Sequence, residues 1–206
     1  MSDQQASRRD LLRVGAISLG TVGSAAFFPS IAAAAPGVEA AAVIPADPVY
    51  RYFLEVSGIP GDSVDATYRN QIPLSAWSWG LSNSGSTSGS GSGVGKSSPM
   101  DFVYIAPMSV ASPPTMLAVA TGKHLDHAVL TVVSMANKPV KRMTVRLVDV
   151  RVSSYQQSSG DSNGFPVDVV NLTYGKVIYS VYPQKSDGST GSPVVSTFDF
   201  RSQRAG

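Results

Sequence analysis

The sequence predicts an all-β protein: an antiparallel β-barrel of short strands with one short helix. Three observations predict it. From residue 50 onward the dominant apolar period is two, the spacing that puts alternate side chains on one face of a strand. Clusters of Gly, Pro, Asp and Ser break these runs where turns are needed. Only residues 112–122 carry both helix start and helix stop signals.

The elements follow in order. Tyr50, Tyr52, Leu54 and Val56 share one face of a first strand, with Arg51, Phe53, Glu55 and Ser57 on the other. Gly58-Ile59-Pro60-Gly61-Asp62-Ser63 ends it with turn chemistry. Residues 72–81 form a second apolar run containing Trp77 and Trp79, two apart and therefore on one face, where they suit a core. Residues 83–98 are almost pure Gly and Ser, a composition without enough apolar surface to order itself, and read as a flexible loop. Residues 101–105 form a short strand. Ser112 suits the N-cap of the helix, Pro113 its first position, and Gly122 its C-cap. Further strands are expected at 128–134, 143–154, 167–174, 177–182 and 194–200, with Gly175-Lys176 separating two of them. In 143–154 the apolar face changes phase between Leu147 and Val148, which calls for a bulge or a bend.

The N-terminus has a different character. Ser7-Arg8-Arg9-Asp10-Leu11-Leu12-Arg13 resembles a twin-arginine export motif. An apolar, small-residue run follows to Ile31, then Ala32-Ala33-Ala34-Ala35-Pro36, where small residues suit cleavage between Ala34 and Ala35. Residues 1–34 therefore read as a cleavable signal that engages the twin-arginine translocase. Residues 35–48, rich in Ala, Pro and Val, read as a linker, and 49–206 as the barrel domain. Gly15, Gly20, Gly23 and Pro29 make the run a poor membrane anchor, so no stable membrane insertion is expected after cleavage.

Composition narrows the chemistry. The chain has 206 residues, 15% of them charged, and a net charge of +2. Without residues 1–34 there remain 13 basic and 12 acidic residues, a balance with no electrostatic footprint for nucleic acid. There is no cysteine, which excludes disulfides, thiolate metal sites and a cysteine nucleophile. His124, Asp126 and His127 place three ligand-type residues within four positions and are the candidate metal site. An extended backbone would scatter them, with His124, Asp126 and Ala128 facing one way and His127 the other. Ser90 to Ser97 brushes against a phosphate-loop pattern, and Gly89-Ser90-Gly91-Ser92-Gly93 fits the letters of a nucleophile elbow. Both lie in low-complexity sequence without the strand–turn–helix context that such motifs need. Tyr174, Tyr179 and Tyr182 read as barrel packing rather than a binding surface. No cofactor and no catalytic residue is expected.

Several segments, in this order, resemble the haemolysin-coregulated protein (Hcp) family. Residues 58–63 are similar to its Gly-Ile-x-Gly-Glu-Ser turn, with Asp62 in the acidic position. Residues 72–80, with Trp77, Trp79 and Gly80, are similar to the strand that follows. The helix ending at Gly122-Lys123 occupies the place of the family's one helix. Leu147-Val148-Asp149-Val150-Arg151-Val152-Ser153-Ser154-Tyr155 resembles its Leu-x-Asp-Val-x-Val-Ser-Ser strand, and residues 169–182 with Phe198-Asp199 resemble its closing strands. The resemblance covers roughly residues 50–200. It implies a non-enzymatic subunit of a six-membered ring that stacks into the tube of a type VI secretion machine and houses small protein cargo. The chain departs from the family in its export signal and in its long Gly/Ser tract. The expectation is therefore an exported, self-associating structural protein. The rivals are a secreted ligand-binding or metal-binding barrel or enzyme using the His124/His127 segment, and a conventional tube subunit.

Overall fold

The computed structural model describes residues 50–84, 95–135, 139–159, 164–185 and 189–206. The signal expected at 1–34, including Arg8, Arg9 and the cleavage point at Ala34 and Ala35, and the linker to 48 lie outside them. The strands are β1 (Tyr50–Val56), β2 (Ile72–Leu74), β3 (Ala76–Ser78), β4 (Leu81–Asn83), β5 (Ser97–Pro99) and β6 (Phe102–Pro107). Helix α1 (Ser112–Thr121) follows, then β7 (His124–Ser134), β8 (Val140–Ser159), β9 (Pro166–Val181), β10 (Val194–Asp199) and β11 (Arg204–Ala205).

Every ladder is antiparallel, and the main sheet closes on itself. β1 pairs β7 along its whole length, β7 pairs β8, and β8 pairs β9. The free edge of β9 is shared between β6 on its first half and β10 on its second. β1 takes β2 on its other side, whereas β3 pairs β6. The expected single strand at 72–81 is therefore two strands that change partner at Ser75, whose N–H donates to the carbonyl of Ile105 at 2.8 Å. That change of partner links the β1 side of the sheet to the β6 side and closes the circuit.

Alternation fills the interior. Leu54, Phe102, Leu130, Val145, Leu147 and Leu172 are essentially inaccessible, and each burial contributes roughly 1.5–3 kcal/mol. Phe53 lies on the outer face of β1 and is also buried, because residues 61–71 fold over it. Tyr68 stacks on its ring at 4.6 Å between centroids. Trp77 meets Tyr52 edge-on and Trp79 tilts against Tyr179, both half-buried against the core.

The phase change expected in β8 is present. Leu147 and Val150 are both buried, and Asp149 between them has φ +59°, a left-handed conformation that Asp tolerates better than most residues. A second register slip falls between Val152 and Ser154. Gly175 does not separate two strands as expected: β9 runs unbroken from 166 to 181. Gly175 stands opposite Asp149 instead, where an added Cβ would lie 2.8 Å from its Oδ2.

The helix ends as expected at Gly122, with φ +62°. Its start differs. Ala111 is the N-cap and has no polar side chain to cap with; Ser112 stands one residue inside the helix, where its hydroxyl accepts the Ser109 N–H at 3.0 Å and donates to a carboxylate described below. The Gly/Ser tract also differs at its ends. Asn83 pairs Ser97 and Ser82 pairs Ser98, so β4 and β5 form a ribbon; residues 85–94 lie outside the described residues. The side-chain amide of Gln203 binds both the N–H and the carbonyl of Ser97, at 2.9 and 3.0 Å, in the manner of a neighbouring strand. The last expected strand stops at Asp199. The Asp199 carboxylate accepts the N–H groups of Ser202 and Arg201, which hold it below its usual range, and the chain turns into β11.

Tyr174 tests the core. It is 5% exposed, and among the described residues its hydroxyl has no hydrogen-bond partner. Burial is the main cause that raises its pKa from 10.0 to about 12. Between those values the unfolded chain releases a proton that the folded chain keeps, so stability falls as pH rises. Tyr174→Phe removes an unpartnered buried hydroxyl. Urea unfolding at pH 7 is expected to show a gain of about 1 kcal/mol, with a smaller loss of stability between pH 7 and 11 than in the parent.

Candidate functional site

The turn after β1 is the most tightly specified surface feature. Gly58 takes φ +73°, and Ile59 is buried. Gly61 N–H donates to Asn70 O at 2.8 Å, Asn70 N–H to Ser63 O at 2.9 Å, and Ser63 N–H to Gln71 O at 3.1 Å. A Cβ on Gly61 would lie 2.3 Å from the Gln71 carbonyl oxygen, so only glycine fits where the two arms of the loop cross. Asp62 is exposed and Ser63 buried. Asp65 accepts the N–H groups of Thr67 and Tyr68, which sets Tyr68 over Phe53. An open groove of about 540 Å³ runs between this loop and the start of β1 and the end of β2.

The histidine segment lies in β7, which starts four residues earlier than expected. The ladder skips Asp126, so Leu125 and Ala128 are both buried while His124 and Asp126 are exposed. Ala128 thus does not share a face with His124 and Asp126. His124 Nε2 bonds Asp149 Oδ1 at 2.5 Å, and Asp149 Oδ2 also takes Arg201. His127 Nε2 faces Glu55 Oε1 at 3.3 Å across the β1–β7 ladder. The two imidazoles thus have different carboxylate partners, and no group of three or more metal-type ligands converges among the described residues.

One polar cluster has no counterpart in the sequence reading. Asp168 on β9 is 5% exposed. Its Oδ2 accepts the Ser112 hydroxyl, and its Oδ1 accepts Tyr155 Oη and Gln157 Nε2, each at 2.9 Å. Three neutral donors thus hold a buried carboxylate and tie the start of α1 to the far end of β8. Next to it, Thr115 donates to the Ala111 carbonyl at 2.7 Å and hydrogen-bonds Tyr104, whose hydroxyl burial pushes well above the usual phenol range. The signal was present in the alternation. Asp168 shares the core-facing phase of Val170, Leu172 and Tyr174, and an acid in that phase must find donors.

A closed antiparallel barrel with one helix laid beside its longest strand defines the class: a β-barrel module whose polar clusters tie its elements together. Its relatives are specific. Residues 53–181 match the family model described as the type VI secretion system effector Hcp. The chain belongs to the Hcp family. It is 32% identical over 152 residues to protein hcp1 of Pseudomonas aeruginosa, covering 72% of this chain and 94% of that one. The fold is similar to Hcp1 from Salmonella typhimurium, with a TM-score of 0.62 and 27% identity over 76% of this chain and 98% of that chain. It is also similar to a structure described as a type six secretion system protein, with a TM-score of 0.70 at 20% identity over 76% and 99%. Among the described residues no helix is long and apolar enough to cross a membrane.

Asp168→Ala would strand three donors at once. It is expected to cost about 3 kcal/mol in urea unfolding, with amide exchange in α1 accelerated more than in β1 and β7.

Proposed function

We propose that this chain is an exported, non-enzymatic Hcp-type structural subunit that self-associates into rings, six-membered as the resemblance implies, with protein cargo in the lumen. The observation that carries the proposal is the match over residues 53–181, together with a barrel that covers nearly the whole length of Hcp1 from Salmonella typhimurium. The polar clusters support the non-enzymatic part. His124 and His127 are each held by a carboxylate on a different strand, and Asp168 is enclosed by neutral donors. None of these leaves an acid, a base and an open position side by side.

Export rests on Arg8-Arg9 and the small residues around Ala34 and Ala35. In this reading the twin-arginine translocase carries the folded subunit out of the cytoplasm. Ring architecture is then used outside the cell membrane and not only inside an injection machine. A conventional tube subunit would be assembled before delivery and would not need that address.

Light scattering and negative-stain microscopy of the full chain are expected to show multimers with a ring outline; a strict monomer would sink the self-association. Replacing Arg8 and Arg9 with Lys is expected to keep the protein in the cytoplasm of its producer, as read by fractionation. Unchanged secretion would leave the conventional subunit standing.

A further inference from the structure

Strand β1 starts with one bare edge. It pairs β7 from Tyr50 to Val56, but β2 pairs only Tyr52, Phe53 and Leu54. β2 stops at Leu74 because Ser75 turns its N–H to the Ile105 carbonyl. Among the described residues, Tyr50 and Arg51 therefore have no ladder partner on the β2 side. The open groove of about 540 Å³ lies beside them. Tyr50, Tyr52, Pro73 and Leu74 line it from the sheet and Val64 lines it from the loop. Val64 is 90% exposed and Tyr50 42% exposed. The loop cannot relieve that exposure by folding down, because Gly61 and Ser63 are fixed by backbone hydrogen bonds to Asn70 and Gln71.

The sequence that leads into this edge has its own instructions. Asp47-Pro48-Val49-Tyr50 carries Asp at the first and Pro at the second position of a four-residue turn, the signature of type I. A turn there reverses the chain at the start of β1 and brings Ala46 beside Tyr50 and Arg51. Ile44 and Asp47 each precede a proline, which drives both to extended backbone. Pro45 has no N–H to give to a ladder, so the segment leaves the sheet edge there. Next to that edge is the groove. The residue that arrives is Ile44, apolar and β-branched like Val64.

We propose that residues 44–49 fold back on β1 as a strap, with Ile44 seated in the groove against Val64. The occupant is this chain's own segment because the described residues begin at Tyr50, itself part of the groove wall. The six residues before it span roughly 20 Å when extended, enough to turn and cover the bare edge and the groove. A tethered segment also meets the groove at an effective concentration that a free peptide lacks. The strap shields a strand edge that is otherwise a template for extended peptides. It depends neither on the self-association nor on the export proposed above.

The absence of cysteine makes the test direct. In the full chain, Ile44→Cys places a single thiol on the strap. Its reaction with a maleimide is expected to be roughly tenfold slower than in Ile44→Cys combined with Val64→Asp, where the apolar wall is lost. Val64 is so exposed that its substitution leaves the fold intact. Ile44→Cys combined with Val64→Cys is expected to close a disulfide within one chain under mild oxidation, identified by mass spectrometry of the linked peptides. Equal labelling rates with and without Val64→Asp would overturn the strap. Slow labelling without the disulfide would seat the segment elsewhere and overturn the groove as its site. A disulfide joining two chains would assign the groove to the segment of a second copy and overturn the proposal as well.

Discussion

The β8–β9 ladder is the constraint on which the rest of the barrel depends. It is the longest pairing among the described residues, and every other element of the main sheet attaches to it directly or through one neighbour, except β2, which reaches it through β1 and β7. β9 divides its second edge between β6 and β10, and β8 gives its first half to β7 and leaves its second half for α1. A ribbon of that length cannot stay flat inside a closed barrel. Asp149 supplies the bend. Its left-handed backbone skips a pairing on both sides at once, and Gly175 leaves the room its carboxylate needs. His124 from β7 and Arg201 from the C-terminal turn then hold that carboxylate from two directions. The local cost of the bend is thus offset by contacts that join three parts of the chain.

The same logic explains where the polar residues went. His124, which the sequence groups with Asp126 and His127, serves the bend. His127 reaches across to Glu55 and belongs to the β1–β7 pairing. Asp168 anchors the helix. Each carboxylate or imidazole is used to fix the relation of two or more elements. That distribution holds the barrel of this Hcp family member together at several separate points.

Rigidity also bears on the surfaces themselves. The turn at 58–71 is pinned by backbone hydrogen bonds and by the space that only Gly61 leaves. The β4–β5 ribbon is pinned by the Gln203 amide. The helix is pinned by Asp168. With its scaffold held at these points, the loop that walls the groove beside β1 is presented in a fixed position. Pre-organised surfaces lose less entropy on association.

Much of the fold was legible in the sequence because period-two alternation and turn chemistry are local. The strand faces of β1, the phase change in β8, the Gly122 stop and the motif order from Gly58 onward all follow from neighbours a few residues apart. The export address at Arg8 and Arg9 and the lack of cysteine chemistry are equally local readings, though the first lies outside the described residues. What tertiary structure decided is everything that depends on residues far apart in the chain. Ser75 changes partner because β1 and β6 must both be satisfied. Gly175 continues a strand because Asp149, 26 positions earlier, needs its missing Cβ. Ser112 ties the helix start to Asp168, 56 residues away, by donating its hydroxyl to that carboxylate. The histidines take different partners because β7 lies between β8 and β1, so His124 meets Asp149 on one neighbour and His127 meets Glu55 on the other. Sequence spacing specifies which way a side chain can point; only the closed barrel supplies what it meets there.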